Sequence, residues 1–578
     1  MFFMFIIHNI YTGSKPLCHS KRLTFKIVKD HTMNNAVFIF DYPENEPVRS
    51  YVPGSRDRKD LQAELDRLSS TQLEIPLIIG GKEVYTNNTG TVTMPHDHGH
   101  VLARYHKAGE TEVKMAIDAA LKAHREWESF SWFERASVTL KVAELLSKKY
   151  RMLINAATML GQGKSAFQAE IDAACETIDF LRFNAHFISD IYNEQPHSDP
   201  GIINRLEYRP LEGFVFAVTP FNFTAIASNL NMAPVIMGNA TVWKPATTSI
   251  LSNYILMQVF KEAGLPDGVI NFIPGQGSAV GDQVIAHKYF AGLHFTGSNG
   301  TFNKLWQNAS ANLANYRSYP RIVGETGGKD FVLAHPSAGV DEVATALVRG
   351  AFEYQGQKCS AASRAYIPES LWPTVKSRVG EMLAEITVGD VRDFSNFMNA
   401  VIDEKSYDNI MSYIGKARNT NDAEIVFGGT GDKSKGYFVQ PTIIQAYDPH
   451  FVTMTEEIFG PVLTIHVYKD KEFDQTVKLV DETSPYGLTG CIFAQDRGVL
   501  IKAADELKYA AGNFYFNDKP TGAVVGQQPF GGSRQSGTND KAGSHLNLLR
   551  WISPRTIKET LIPPTDYRYP FMKADNCH

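Results

Sequence analysis

Cysteine is scarce in this 578-residue chain: Cys18, Cys175, Cys359, Cys491 and Cys577 are widely spaced, odd in number and include no CxxC pair. A disulfide framework needs dense, paired cysteines, so that class is excluded and a reducing compartment is implied. A basic excess is missing too. Lys+Arg 57 against Asp+Glu 62 leaves a formal net charge of −5, which excludes a dedicated nucleic-acid binder with its basic stripe. No apolar run approaches the roughly 20 residues of a membrane-spanning helix, so no membrane role is expected. Solenoid repeats and low-complexity tracts are absent. Aromatic content of 11% and the small net charge exclude disorder over most of the chain. What remains is an ordinary globular composition, long enough for roughly three or four domain-sized units.

Acid is also missing from residues 1–29, which carry Lys15, Lys21, Arg22, Lys26 and Lys29 among Ser and Thr. A basic, acid-free leader is what an organelle transit peptide looks like. The alternative is translation from Met33, with residues 1–32 as an extension ahead of a cytoplasmic protein.

Residues 41–60 read as an extended, turn-rich entry. Apolar positions at helical spacing follow: Val113, Ile117, Ala120, Leu121 and Trp127, then Val138, Val142, Leu145 and Leu146, then Ile171, Ala174, Ile178 and Leu181. The texture changes at FVFAVT (214–219), a continuous apolar run ending at Pro220, as expected of a buried parallel strand. Strands at 240–243, 269–273 and 291–295, with a helix at 250–263, complete a strand–helix alternation. Such alternation predicts a doubly wound α/β sheet with ligands at the carboxyl ends of its strands. Asn222, Lys244 and Gly297 each follow a strand directly. A second alternating region starts near Ile322, with strands at 363–367 and 462–467. The tail at 553–562 reads as an extended arm.

A lone cysteine is usually a small buried hydrophobe, and Cys175, on an apolar helix face, and Cys491, in a strand, fit that description. Cys359 differs. It lies in GQKCS (356–360) on a connection, where Gly356 allows close backbone approach and Lys358 favours thiolate. Glu325, in GETGGK (324–329), is either a solvated turn carboxylate or a general base tuned by burial. Asn222, in PFNF (220–223), is either a turn amide or an oxyanion donor. FTGS (295–298) ends a strand before a helix, which suits a phosphate-facing helix terminus. Neither it nor Gly275-Gln276-Gly277 has the dinucleotide fingerprint spacing. PHDHGH (95–100) reads as a turn with exposed histidines and no metal, since no HExxH or Cys partner accompanies it.

Jointly, PFNF, WKP with Lys244, FTGS, GETGGK, GQKCS and EEIFGP (456–461) resemble the aldehyde dehydrogenase superfamily, from about residue 47 to about 560. MLGQGKSAFQAEIDAA (159–174), AFEYQGQKCSA (351–361), AGNFYFNDKPTGAVVGQQPFGG (511–532) and SGTNDKAG (536–543) resemble its glutamate-semialdehyde branch. The resemblance implies NAD-dependent oxidation of L-glutamate γ-semialdehyde to L-glutamate, a step of proline catabolism, by a mitochondrial homodimer or higher homo-oligomer. It implies a leader at 1–40, an NAD-binding domain at 41–320, a catalytic domain at 321–534, and a β-strand oligomerisation arm from 198–213 and 535–578. By resemblance Cys359 is the nucleophile, Asn222 an oxyanion donor and Glu325 the base for water. Lys244, Gly297, Ser298, Glu457 and Phe459 match cofactor positions. Ser360, Gly522 and Ala523 match a carboxylate anchor, Phe221 and Phe530 aromatic walls, and Glu170 with Lys358 the surroundings of the substrate amino group. Some relatives carry Ser where this chain has Ala523, which offers only its backbone N–H. Another semialdehyde dehydrogenase and a catalytically silent paralogue are the alternatives.

Overall fold

A computed structural model describes residues 38–572. The basic leader, apart from 38–40, and both Cys18 and Cys577 lie outside the described residues. The run at 214–219 becomes the strand Phe214–Val218, ended by Pro220, which has no N–H for a sheet ladder. Five parallel strands stand in the order Arg321–Glu325, Phe290–Thr296, Phe214–Val218, Thr241–Lys244 and Ile270–Phe272, and Leu77–Ile79 and Lys82–Val84 add an antiparallel edge. Strand order reverses between Phe214–Val218 and Phe290–Thr296, which opens a crevice at their carboxyl ends.

The chain leaves this sheet after Glu325, through the glycines of GETGG, and enters a second one at Asp330–Ala334. The strand at 321–325, which the alternation groups with the second half of the chain, is therefore an edge of the first sheet. The second sheet runs Ala423–Phe427, Thr442–Ala446, Val462–Tyr468, Ala362–Pro368, Asp330–Ala334, Thr489–Phe493, Asn513–Phe516, parallel except at its first strand. Cys491 is a strand residue, as expected. The arm is an antiparallel pair in which Ile552–Thr560 lies along Ile202–Pro210.

Three local expectations change. The turn-rich entry stops at Ser55, whose side chain caps a helix over Arg56–Ser69. His96 is buried rather than exposed, with Gly436 packed on its backbone. Burial lowers its pKa to about 4 and keeps it neutral beside Asp390. Cys175 is not on an apolar face. It sits in a widened π-helical turn, Glu170–Glu176, with its sulfur 3.5 Å from an Arg151 guanidinium nitrogen.

That turn also carries Asp172, which forms a fully buried ion pair with Lys164 at 2.6 Å. The Asp172 carboxylate further accepts the Thr224 and Ala225 N–H groups at 3.1 and 2.9 Å, and so caps the helix Thr224–Ile236 that follows Asn222. Asp172→Ala, which strands Lys164 in the core, is expected to lower stability by about 3–5 kcal/mol. A shift of the urea midpoint to lower concentration is the readout.

Candidate active site

Cys359 is held by an unusual backbone. Tyr354 and Gln355 are left-handed, with φ of 53° and 55°, and Gly356 follows at 65°. A Cβ at Gly356 would lie 2.3 Å from the Gly460 carbonyl, so only glycine fits there. Side-chain amides hold the strained turn. Gln355 donates to the carbonyls of Gly163 and Ala400, both at 2.8 Å, and accepts from Asn399 N–H at 3.0 Å. Gln357 accepts from Ile402 N–H at 2.9 Å. Strain of this kind persists where the surroundings over-determine it.

The turn delivers the Cys359 thiol to Glu325, at the carboxyl end of the first sheet's edge strand, with Sγ donating to Oε1 at 3.3 Å. Burial, then the Glu325 charge, pushes the thiol well above its ordinary pKa. Burial pushes Glu325 up to about 7. Lys358 does not favour the thiolate, as its neighbourhood in sequence suggested. Its ammonium turns to Glu353 at 3.1 Å. The thiol's partner is thus a carboxyl whose basicity burial has raised, placed to take its proton, rather than a counter-ion.

Asn222 is buried and donates one amide hydrogen to the Gln357 carbonyl at 3.0 Å, leaving the second for another acceptor beside the nucleophile turn. Glu457 folds over Gly327 and accepts from Gly328 N–H at 3.0 Å, and burial raises its pKa to about 7. Phe459, at φ 59°, meets the Phe221 ring edge-on at 5.8 Å.

Cys359 and Ser360 border a cavity of about 290 Å³. Its aromatic walls include Phe180, Phe223 and Phe530. Phe221, expected as a wall, does not border it. Phe221 lies three residues past the strand end at Val218 and packs against Phe459, whereas Phe223 borders the cavity. Ser360 is hydrogen-bonded to Thr521 at 2.7 Å, and Gly522, at φ 100°, and Ala523 continue the same rim. Cations border it at Arg349, Lys358 and Lys519, and acids at Glu46, Glu176, Asp179 and Glu353, the last paired with Arg349 and Lys358. A cavity with both charges suits a zwitterionic head group.

Glu170 is not one of those acids. It is fully buried, and its carboxylate is taken up by Arg151, Tyr51, Asn155 and the Arg49 N–H. The π-helical turn resets the helix phase, so Glu176 and Asp179 reach the cavity from the same segment.

A second cavity of about 290 Å³ occupies the crevice of the first sheet. Lys244 borders it, with its pKa lowered by burial. Two helices, Gly277–Ala286 and Asn299–Ala311, present their amino ends there, where Gly277 and Gly300 leave open space that any Cβ would enter. Free N–H groups, a cation and bare backbone fit a dinucleotide's phosphates and ribose. Gly297 and Ser298 stand just behind. The Ser298 hydroxyl caps the helix whose Gly300 and Thr301 line the cleft. Ser278, Asp282 and Lys304 also line it and were not singled out from sequence, because the glycines at 275–281 lack the fingerprint spacing.

The sequence profile of the aldehyde dehydrogenase family matches residues 84–557. The mitochondrial delta-1-pyrroline-5-carboxylate dehydrogenase of Dictyostelium discoideum is 54% identical over 533 residues, covering 92% of this chain and 96% of its own length. The mitochondrial enzyme of that name from Homo sapiens is 47% identical over 530 residues, covering 92% and 94%. The crystal structure of the delta-pyrroline-5-carboxylate dehydrogenase of Mycobacterium tuberculosis bound with NAD is similar at a TM-score of 0.91 and 48% identity, covering 94% of this chain and all of that one.

Replacing Glu325 by Gln removes the charge that holds the thiol protonated. The pH midpoint for iodoacetamide alkylation at Cys359, followed by peptide mass, is expected to move down.

Proposed function

The chain belongs to the aldehyde dehydrogenase family, and we propose that it oxidises L-glutamate γ-semialdehyde, the open form of pyrroline-5-carboxylate, to L-glutamate with NAD, a step of proline catabolism. The observation that carries this reading is the Cys359–Glu325 pair at 3.3 Å on the border of a narrow aromatic cavity that bears both charges. The activity named for the relatives above supports it.

Glu325 takes the thiol proton and Sγ attacks the aldehyde carbon. The second Asn222 amide hydrogen and the Cys359 N–H stabilise the oxyanion of the thiohemiacetal. Lys244 and the helix ends at Gly277 and Gly300 would hold NAD, which would supply the acceptor for the hydride that leaves this carbon. Cys359 then carries a thioester. Glu325 passes the thiol's proton on to solvent and then draws a proton from water, hydroxide adds to the thioester carbon, and the C–S bond breaks to release L-glutamate and return the thiolate. Glu457 and Phe459 border the nicotinamide side, and Gly297 and Ser298 support the pyrophosphate side. Ser360, Gly522 and Ala523 hold the substrate carboxylate. Phe223 and Phe530 sleeve the aliphatic chain. A site built on such polar donors rejects aldehydes that lack the head group by large factors.

The strands Ile202–Pro210 and Ile552–Thr560 form the arm, through which copies of the chain pair as a homodimer or higher homo-oligomer. The basic leader and the mitochondrial naming of the relatives support import into the mitochondrial matrix.

NADH formation by the purified chain is expected with pyrroline-5-carboxylate and to be lost in Cys359→Ala. Propanal turning over as efficiently would overturn the substrate assignment. In Glu325→Gln, kcat is expected to fall by about 10²–10⁴. A base held near 7 is effective only when deprotonated, so wild-type kcat should decline as pH falls through about 7.

A further inference from the structure

The loop at 522–528 carries Gly522 and Ala523, yet it belongs to neither sheet. Its own bonds are short-range: the Val524 carbonyl accepts from the N–H groups of Gln527 and Gln528. Among the described residues, every hydrogen bond from 522–528 to the rest of the chain ends on Tyr42 or Asn45. Tyr42 donates its hydroxyl to the Gly526 carbonyl at 2.9 Å. Asn45 donates to the Val525 carbonyl at 2.8 Å and accepts from the Gln527 side chain at 2.8 Å.

The amino-terminal segment is itself anchored. The Asn45 amide also donates to Asp179 at 2.8 Å, and the Glu46 N–H donates to the same carboxylate at 2.7 Å. Glu46 is paired with Arg151 and Arg182. The Tyr42 ring stands edge-on to Phe183, 5.3 Å away. Gly526 presses on that same Phe183, so that a Cβ there would come within 2.1 Å of the ring. One helix therefore supports the segment, and the segment, which borders the cavity at Asn45 and Glu46, holds the loop.

We infer that residues 42–46 are a specificity strap, in which Asn45 and Tyr42 position the 522–528 loop so that its backbone donors meet the substrate carboxylate. Asn45 is a positioning residue here: it acts through the loop, at a sequence distance of about 480 residues. This role rests on the substrate reading above. Because Ala523 offers no hydroxyl, the anchor leans on Ser360 and on main-chain N–H groups, whose directions are only as good as the loop's placement.

The test compares the full chain with Asn45→Ala and Tyr42→Phe, using pyrroline-5-carboxylate and propanal. Losing the bonds of Asn45 is expected to raise KM for pyrroline-5-carboxylate about tenfold, equivalent to about 1.4 kcal/mol, with a smaller change in kcat. The selectivity ratio against propanal should fall in proportion. Tyr42→Phe keeps the ring contact, loses one hydroxyl bond, and should shift KM the same way by about threefold. Hydrogen exchange at 522–528 should accelerate in both variants. Unchanged KM, or equal losses for both aldehydes, would overturn the strap. A wild-type chain inactive on pyrroline-5-carboxylate would instead overturn the substrate reading. In that case unchanged exchange at 522–528 in the variants would sink the strap on its own.

Discussion

Taking a thiol and a carboxyl out of water together raises the pKa of both, and much of this molecule is arranged around that constraint. Cys359 alone in the same place would be an inert buried sulfur, and Glu325 alone would be a costly buried acid. At 3.3 Å each gives the other a partner. The contact needs a nucleophile turn with three successive left-handed residues, and that turn needs the Gln355 and Gln357 amides to hold it against residues 399–402. It also needs an edge strand that stops at Glu325 and the glycines beyond it.

The two sheets meet this requirement from opposite ends. Glu325 and Asn222 come off the carboxyl ends of strands in the first sheet, while Cys359 enters just before Ala362–Pro368 of the second. A doubly wound sheet already places its ligand crevice beyond its strand carboxyl ends. Cofactor crevice and thiol therefore converge without a separate device. The buried Lys164–Asp172 pair ties this region together, because the same carboxylate caps the helix that starts just beyond Asn222.

The positions of Cys359, Glu325, Asn222 and Lys244 could be read from sequence because each follows or precedes a strongly patterned strand or helix, and glycine or proline marks the join. The central parallel strands were readable for the same reason: continuous apolar runs have few other uses. What could not be read depended on side-chain direction. Lys358 is adjacent to the nucleophile in sequence but turns to Glu353, and Phe221 and Phe223 differ only in which way a short turn points them. Glu170 turns into the core and Glu176 reaches the cavity instead through a π-helical turn, for which helical spacing carries no signal. The helix Arg56–Ser69 is so charged that its few apolar positions, Leu61, Leu65 and Leu68, were lost among turn residues.

The contact between Asn45 and the loop near Val525 has a consequence for how the protein comes into being. A ribosome makes the two partners at nearly opposite ends of its work, and chain synthesis runs at about 5–20 residues per second. The aromatic cavity therefore cannot close on a nascent chain until almost all of it has emerged. Contacts of such long sequence separation form slowly. The aldehyde pocket is one of the last parts to mature, and a chain truncated before the loop would never acquire a finished site.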